Sequence, residues 1–220
     1  MYGLNKKEEV RNYVARGIEL LSAIYVPVAM LVAALSSSIL LFLSSSTYLP
    51  ASIPVVIVLV VSSLFVSGNI LSVSLQGIRK TKIFLITSSL ALLSNFIISI
   101  LLIPRYQMIG ASIGYSSITV VSFFIMYYYA RKFEILKFEV AKIDKIYASG
   151  FVMFFVIFEL QNILLYSPLK LLGYIVLGFA IYSGMIKVMR TFSREDLDFM
   201  MLLVTGWLQK VRVVISTLFL

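Results

Sequence analysis

Six long runs of apolar residues constrain what this chain can fold into more than any other feature of its sequence. Each run is uncharged or nearly so, and each is long enough for an α-helix to cross the hydrocarbon core of a bilayer, about 30 Å at 1.5 Å per residue. Strands of a membrane barrel would alternate polar and apolar residues over about ten positions, whereas these runs are continuous. We therefore predict six transmembrane helices, at residues 18–42, 53–75, 83–103, 109–130, 146–166 and 171–189.

Charged residues are too few for a soluble domain of this size. Of the 220 residues, 60% are hydrophobic and 13% are charged, whereas a soluble domain usually carries roughly a quarter charged residues. A chain of this length cannot hide so much apolar surface inside a water-exposed globule. We therefore expect the chain to be embedded in a lipid bilayer, which takes the place of water as its solvent and is one of its partners.

The sequence contains neither cysteine nor histidine. Without cysteine there are no disulfides, no thiolate catalysis and no cysteine-based metal sites. Without histidine the commonest general base and the commonest transition-metal ligand are missing as well. We predict that the protein is not an enzyme and that it holds no cofactor or metal ion.

Lysine and arginine fall almost entirely on one side of the predicted spans. Of the 19 such residues, only Arg105 and Lys170 lie in the alternate loops, and positive charge is retained by cytoplasmic loops. Both termini are therefore predicted to be cytoplasmic in a multi-pass protein of the cell membrane. The basic residues separate apolar runs instead of interleaving with aromatics on one face, so the net charge of +9 does not indicate a nucleic-acid partner.

The spacing of apolar runs and charges divides the chain into five predicted regions. They are a cytoplasmic amphipathic lead-in at 1–17, a four-helix transmembrane part at 18–130, a basic cytoplasmic linker at 131–145, the last two transmembrane helices at 146–189 and an interfacial amphipathic helix at 190–220. A seventh span at 199–220 is the competing interpretation of the last region. Lys210 and Arg212 near the middle of that span would be costly in hydrocarbon.

Two loops carry a family resemblance. Residues 75–82 read Leu-Gln-Gly-Ile-Arg-Lys-Thr-Lys, and residues 102–111 read Leu-Ile-Pro-Arg-Tyr-Gln-Met-Ile-Gly-Ala. Both resemble turns of the polysaccharide-biosynthesis flippases in the multidrug/oligosaccharidyl-lipid/polysaccharide exporter superfamily. The residues that carry the likeness are Gln76, Gly77, Lys80, Lys82, Pro104, Tyr106, Gly110 and Ala111. Gln107 departs from the pattern, because a glycine is usual there.

The second loop also has a meaning independent of the family. Pro104 is expected to end a helix because it lacks an amide hydrogen and restricts the residue before it. Gly110, Ala111 and Gly114 give the next helix a small-residue face that allows close packing. The loop therefore predicts a tight helical hairpin.

The resemblance implies a fold and a function. It implies one bundle of a two-bundle flippase, and hence translocation of a lipid-linked oligosaccharide for polysaccharide or glycan export. The match is to the carboxyl-terminal part of such proteins, which commonly have 12 or 14 spans, so an amino-terminal helical bundle is expected as a missing partner. Met1 would then be an internal start, the start of a truncated gene, or the beginning of one subunit of a split transporter.

Three other functions remain open at this stage. A cation-coupled small-molecule antiporter of the same superfamily would need carboxylates that line its cavity. A non-transporting remnant or assembly subunit would insert into the membrane normally and move nothing. A membrane-embedded glycosyltransferase would need catalytic acids near the membrane surface, and the sequence shows no such cluster.

Polar residues inside the predicted spans are the candidates for a substrate or ion pathway. Glu159 is the only acidic residue well inside a span, and Gln161 and Asn162 lie within one turn of it. An ionisable group at such depth is costly and tends to face a cavity or partner, although hydration or protonation would explain it equally simply. Asn69 and Asn95 occupy the second and third spans, where each amide either bonds a neighbouring helix or meets a sugar hydroxyl.

Pro27 lies inside the first predicted span. A proline in a helix interior removes one backbone hydrogen bond and kinks the helix. Such a kink is either static or the hinge of a rocking helix. The sequence leaves both interpretations open.

Overall fold

The structure is a computed structural model that describes residues 4–44, 46–137, 139–163 and 168–192, and every regular element in those ranges is helical. The prediction of an all-α membrane protein is confirmed. Four helical stretches are long and apolar enough to cross a membrane, namely Glu8–Ala34, Ser46–Leu64, Thr81–Lys132 and Lys170–Val188, and the count of six spans stays a prediction. The helices are α1 (Leu4–Ala34), α2 (Ser36–Leu43), α3 (Ser52–Leu64), α4 (Ser67–Gly77), α5 (Thr81–Lys132), α6 (Val140–Ile163) and α7 (Pro168–Val188), with a 3₁₀ turn at Ser46–Ala51.

The structure describes most of the predicted amino-terminal region but little of the predicted carboxyl-terminal one. Helix α1 runs without a break from Leu4 to Ala34, so residues 4–17 of the predicted lead-in and residues 18–34 of the first predicted span belong to one helix. The predicted interfacial helix at 190–220 and its rival, the seventh span, lie outside the described residues from residue 193 onward. Both of those regions therefore stay predictions.

Helix α5 is a hairpin of two arms. As one straight helix its 52 residues would extend about 78 Å, more than twice the thickness of the hydrocarbon core. The backbone reverses at Gln107, where φ is 46° and ψ is −117°. We call residues 81–106 the first arm and residues 108–132 the second arm. The arms meet closely, because the Ser94 and Ser117 hydroxyl oxygens are 3.1 Å apart, and the predicted hairpin is confirmed.

The predicted end of the first arm at Pro104 is corrected by three residues. The chain stays helical through Pro104 and turns at Gln107. A proline removes one hydrogen bond of the helix without reversing the chain. The positive φ of Gln107 does reverse it, and this is a conformation that glycine adopts far more readily than other residues.

Helix α1 is the central helix of the described part of the chain, because most of the other helices pack against it. It packs against α3, α4, α6 and α7, while α5 packs against α3 and α4, and α7 packs against α6. One buried cluster joins α1 to α6 and α7 through side chains that include Val26, Met30, Met153, Ile157 and Tyr182. A second cluster joins the start of α1 to α4 and both ends of α5 through side chains that include Ile18, Leu75, Ile83, Met126 and Ala130.

The first predicted span, at 18–42, is divided at Leu35 into α1 and α2. Gln161 of α6 lies at this division. Its Nε2 donates to the carbonyl oxygen of Ala34 at 2.8 Å, and its Oε1 accepts a hydrogen bond from the Ser38 hydroxyl at 2.7 Å. Insertion of a side chain into the hydrogen-bond pattern of a helix is an established cause of a bend, and the apolar pattern of the run does not reveal it.

The second predicted span, at 53–75, is divided at Phe65 and Val66 into α3 and α4. The amides of Gly68 and Asn69 bond carbonyls three residues back, at 3.0 and 3.1 Å, which is the tighter 3₁₀ pattern. Just before the break, the Ser63 hydroxyl bonds the Val60 carbonyl at 2.8 Å. Serine hydroxyls that bond back to the helix in this way favour a bend.

Candidate functional site

A cleft of about 370 Å³ lies between α1, α3, α4 and the two arms of α5. Among the described residues that line it, none carries a charge. Its polar groups are hydroxyls and one amide, from Tyr25, Ser62, Asn69, Ser72, Thr87, Ser88, Tyr115, Thr119 and Ser122. The cleft is therefore polar and electrically neutral in its lining.

The break between α3 and α4 forms one wall of this cleft. Phe65, Gly68 and Asn69, on either side of the break, all line it. A Cβ atom at Gly68 would lie 3.4 Å from the Cα of Phe123, so the missing side chain lets α4 approach the second arm of α5. Irregular backbone at membrane depth is tolerated where it is covered by protein or faces a cavity, and this break meets both conditions.

Some polar groups of the cleft are already paired within the protein. The Tyr25 hydroxyl donates to Ser62 Oγ at 3.1 Å, and Ser62 in turn donates to the Leu59 carbonyl at 3.0 Å. Thr87 is buried and bonds the Ile83 carbonyl at 2.8 Å. These bonds fix the positions of three lining hydroxyls while leaving their remaining oxygen lone pairs to accept hydrogen bonds.

Aromatic rings provide the apolar part of the lining. Phe65 and Phe123 pack with their ring centroids 5.2 Å apart, and both line the cleft together with Tyr115, whose side chain is exposed. Ligand sites commonly combine apolar or aromatic walls with a few placed polar groups. The arrangement suits a neutral, polar ligand group that offers both hydroxyls and flat apolar faces.

Of the predicted pathway residues whose side chains the structure describes, Asn69 alone lines the cleft. The Asn95 Oδ1 accepts a hydrogen bond from Ser99 at 3.0 Å, within the first arm of α5. Glu159 lies on α6 with an exposed side chain, and Gln161 bonds the junction of α1 and α2. The side chain of Asn162 lies outside the described residues.

The first family-motif loop turns at a residue other than its glycine. Gly77 is the last residue of α4, and a Cβ atom there would meet nothing within 4 Å. The positive φ falls on Arg79, at 62°. The Lys80 ammonium lies 4.9 Å from the centroid of the Phe133 ring, while Lys82 is exposed. The Gln76 side chain donates to the Ser72 carbonyl, one turn back in α4, at 3.3 Å.

The second family-motif loop surrounds the hairpin turn. Gly110 is buried, and a Cβ atom there would lie 2.8 Å from the backbone nitrogen of Ile103 on the other arm. Pro104, Tyr106 and Ala111 are exposed. Gly110 is thus required by the close approach of the two arms.

Sequence reasoning missed most of the cleft. Serine and threonine are common in membrane helices, where each hydroxyl can bond its own helix, so nothing local marks those that face one cavity. It also missed Glu19 of α1, which is buried and whose Oε2 lies 3.3 Å from the Lys142 ammonium of α6. A carboxylate at the edge of an apolar run was the signal that could have revealed this ion pair.

Comparison with known proteins bears on the fold. The sequence matches no protein-family model and none of the curated proteins with which it was compared. Among solved structures it is similar to the lipid II flippase MurJ in its inward closed conformation, with a TM-score of 0.72 and 18% sequence identity over 84% of this chain. The chain spans 40% of the length of that flippase. At this identity the likeness establishes the fold, so this multi-pass membrane protein is folded like part of a flippase.

Proposed function

We propose that this chain takes part in moving a lipid-linked oligosaccharide across the membrane for polysaccharide or glycan export. The observation that carries the proposal is the neutral, hydroxyl-lined cleft in a chain with a flippase-like fold. A flippase must shelter a hydrophilic head group while the lipid tail stays in the bilayer. A cleft with hydroxyls, one amide and aromatic rings supplies hydrogen bonds and stacking surfaces for sugars without the cost of burying a charge.

A second helical bundle completes the proposed transporter. Flippases of this superfamily are expected to enclose their substrate between two bundles, and this chain spans 40% of the similar flippase. In the proposal, the missing amino-terminal bundle faces the cleft from the opposite side, and rocking of the two bundles exposes it alternately to each leaflet. The basic loops keep both termini of this chain in the cytoplasm.

Translocation by proteoliposomes tests the function directly. The complete transporter, purified from its native membranes, is reconstituted with a fluorescent polyprenyl-pyrophosphate-linked saccharide, and its movement between leaflets is followed by quenching. Thr119→Val replaces a lining hydroxyl with a methyl group of similar size. We expect it to slow translocation by about tenfold, the effect of losing one or two hydrogen bonds to the substrate.

Thr81→Val is the matched control. Thr81 is exposed at the first residue of α5 and does not line the cleft, so its variant should move the lipid at the original rate. Equal rates for the two variants, or no movement by the unchanged protein, would refute the proposal.

The second bundle has its own test. An antibody against residues 193–220 detects the native product in source membranes, where a band at 24.7 kDa requires a separate partner chain. That partner should then co-purify with this chain in mild detergent. A band near twice that mass places both bundles in one polypeptide, and a 24.7 kDa product that purifies without a partner contradicts the two-bundle proposal.

A further inference from the structure

Three side chains of α6 and α7 donate hydrogen bonds to backbone carbonyls of α1 and α3. Each of these carbonyls lies either at the end of a helix or four residues before a proline inside one. The Tyr147 hydroxyl is 2.8 Å from the Ser63 carbonyl oxygen and 3.1 Å from that of Leu64, Gln161 Nε2 is 2.8 Å from the Ala34 oxygen, and the Tyr182 hydroxyl is 3.0 Å from the Ala23 oxygen.

These positions follow from the chemistry of helix interruptions. The last carbonyls of a helix lack the usual amide partners within that helix, and Ser63, Leu64 and Ala34 are at such ends. The Val66 amide gives the Ser63 oxygen one long bond of 3.4 Å. Ala23 lies four residues before Pro27, which has no amide hydrogen to give it. In hydrocarbon there is no water to replace the missing donor, so side chains from other helices supply it.

Tyr147 differs from the other two donors because its acceptors border the cleft. Ser63 and Leu64 end α3, and the next residues along the chain include Phe65, Gly68 and Asn69, all of which line the cleft. Tyr147 itself is not among the lining residues. Any effect it has on the cleft must therefore pass through the groups that it contacts, and its two carbonyl acceptors lie directly before the break.

We infer that Tyr147 is the positioning residue of the cleft, holding the break between α3 and α4 in the shape that brings Gly68 close to the second arm of α5 and keeps Asn69 in the lining of the cleft. Its hydroxyl is shared between two adjacent carbonyls, which fixes the orientation of both peptide units. A Cβ atom at Gly68 would lie 3.4 Å from the Cα of Phe123, so the break approaches the second arm closely and a small rotation of it changes the width of the cleft. This inference deepens the proposed function, and its consequence for transport rests on that function.

The absence of cysteine from the sequence provides a test that does not depend on transport. Asn69→Cys places a single thiol in the cleft of the complete transporter in membrane vesicles, and its rate of labelling by a small maleimide reports access to that wall. Tyr147→Phe removes only the hydroxyl. We expect it to change the labelling rate of the thiol at position 69 by threefold or more, in line with the loss of one buried hydrogen bond.

Two controls distinguish a local change at the break from a general loss of packing in the helical bundle. Ser89→Cys puts the thiol on an exposed site of the first arm, and its labelling rate should stay unchanged in the Tyr147→Phe background. Tyr182→Phe removes a donor whose acceptor, the Ala23 carbonyl, lies on α1 and not in the break, and it should leave labelling at position 69 within about twofold. The inference fails if Tyr147→Phe leaves labelling at position 69 unchanged, or changes it at both sites to the same degree.

The outcome also distinguishes the inference from the proposed function. A changed labelling rate with no lipid translocation by the unchanged protein would support the positioning role and refute flipping. An unchanged labelling rate in a protein that does translocate lipid would refute the positioning role alone.

Discussion

The hydroxyl of Tyr182 donates a buried hydrogen bond of 3.0 Å to the carbonyl oxygen of Ala23. The two residues lie on α7 and α1, 159 positions apart in the sequence. Pro27 explains why the bond is needed, because it occupies the position whose amide would otherwise bond Ala23. The contribution of Tyr182 to stability is therefore expected to depend on the presence of Pro27.

Tyr182→Phe should lower the free energy of unfolding by about 1–3 kcal/mol, since it leaves the buried Ala23 carbonyl without its donor. Pro27→Ala restores a backbone amide to that carbonyl, so Tyr182→Phe should cost less in the Pro27→Ala background. Reversible thermal or denaturant unfolding in detergent measures all four proteins of the double-mutant cycle. Tyr48→Phe, at an exposed tyrosine, should have almost no effect, and equal costs of Tyr182→Phe in both backgrounds would contradict the coupling.

Gln107→Gly should stabilise the protein. Gln107 has a φ of 46°, and glycine adopts positive φ with no steric penalty, so the gain is expected to be about 1 kcal/mol. Met108→Gly is the matched control, because the neighbouring residue is helical and exposed and should lose about 1 kcal/mol. Unfolding midpoints of the two variants should move in opposite directions; a shift of both to lower stability would show that the turn does not strain Gln107.

Gly114→Ala should destabilise the hairpin of α5. A Cβ atom at Gly114 would overlap the Ser99 hydroxyl and lie 3.1 Å from the amide oxygen of Asn95, and overpacking of this kind costs about 1–3 kcal/mol. At Gly184 of α7 a Cβ atom would meet nothing within 4 Å, so Gly184→Ala should be neutral or stabilising by up to about 1 kcal/mol. Thermal unfolding of both variants tests the packing of the arms, which loses its support if Gly114→Ala is also neutral.

Lys142→Met should lower the free energy of unfolding by about 1–3 kcal/mol. Glu19 is only 4% exposed, and its carboxylate loses a charged hydrogen-bond donor that lies 3.3 Å away. Adding Glu19→Gln to Lys142→Met should recover part of the loss, because the buried charge is gone. Lys187→Met, at an exposed lysine near the end of α7, should stay within about 0.5 kcal/mol of the unchanged protein. Chemical unfolding in detergent measures the set, and a double variant less stable than Lys142→Met would be inconsistent with this account.

The fold was largely predictable because its determinants are local in the sequence. The lengths of the apolar runs indicated membrane-spanning helices, and the positions of Lys and Arg indicated the loops between them. The motif at 102–111 predicted the hairpin that turns at Gln107. The divisions at Leu35 and at Phe65 were not predictable from the apolar pattern of the runs. Gln161 and Tyr147, which bond carbonyls at these divisions, are 127 and 84 residues away in the sequence, and a distant donor leaves no mark on the apolar pattern.

The candidate site was less predictable than the fold for the same reason. Asn69 could be found because an amide in an apolar run is unusual, and it does line the cleft. Thr119 and Ser122 could not, because hydroxyls occur throughout the spans and only the meeting of five helical segments selects these. Pro27 could be recognised in the sequence as a residue that removes one helix hydrogen bond, but only the packing of α7 on α1 shows that Tyr182 donates to the carbonyl left without that bond.

Glu159→Gln distinguishes the proposed flippase from the cation-coupled antiporter. The Glu159 side chain is exposed on α6 and is not among the residues that line the cleft. Removal of its charge should therefore leave the rate of lipid translocation within about twofold of that of the unchanged protein. This is a small effect compared with the loss of a substrate hydrogen bond. An antiporter that used Glu159 to couple cation flow would instead lose ion-driven efflux entirely. Asp144→Asn, at an exposed carboxylate in the first turns of the same helix, is the matched control for a change of charge alone. Proteoliposomes assayed with and without an imposed cation gradient measure both activities, and abolition of transport by Glu159→Gln but not by Asp144→Asn would replace the flippase proposal with the antiporter.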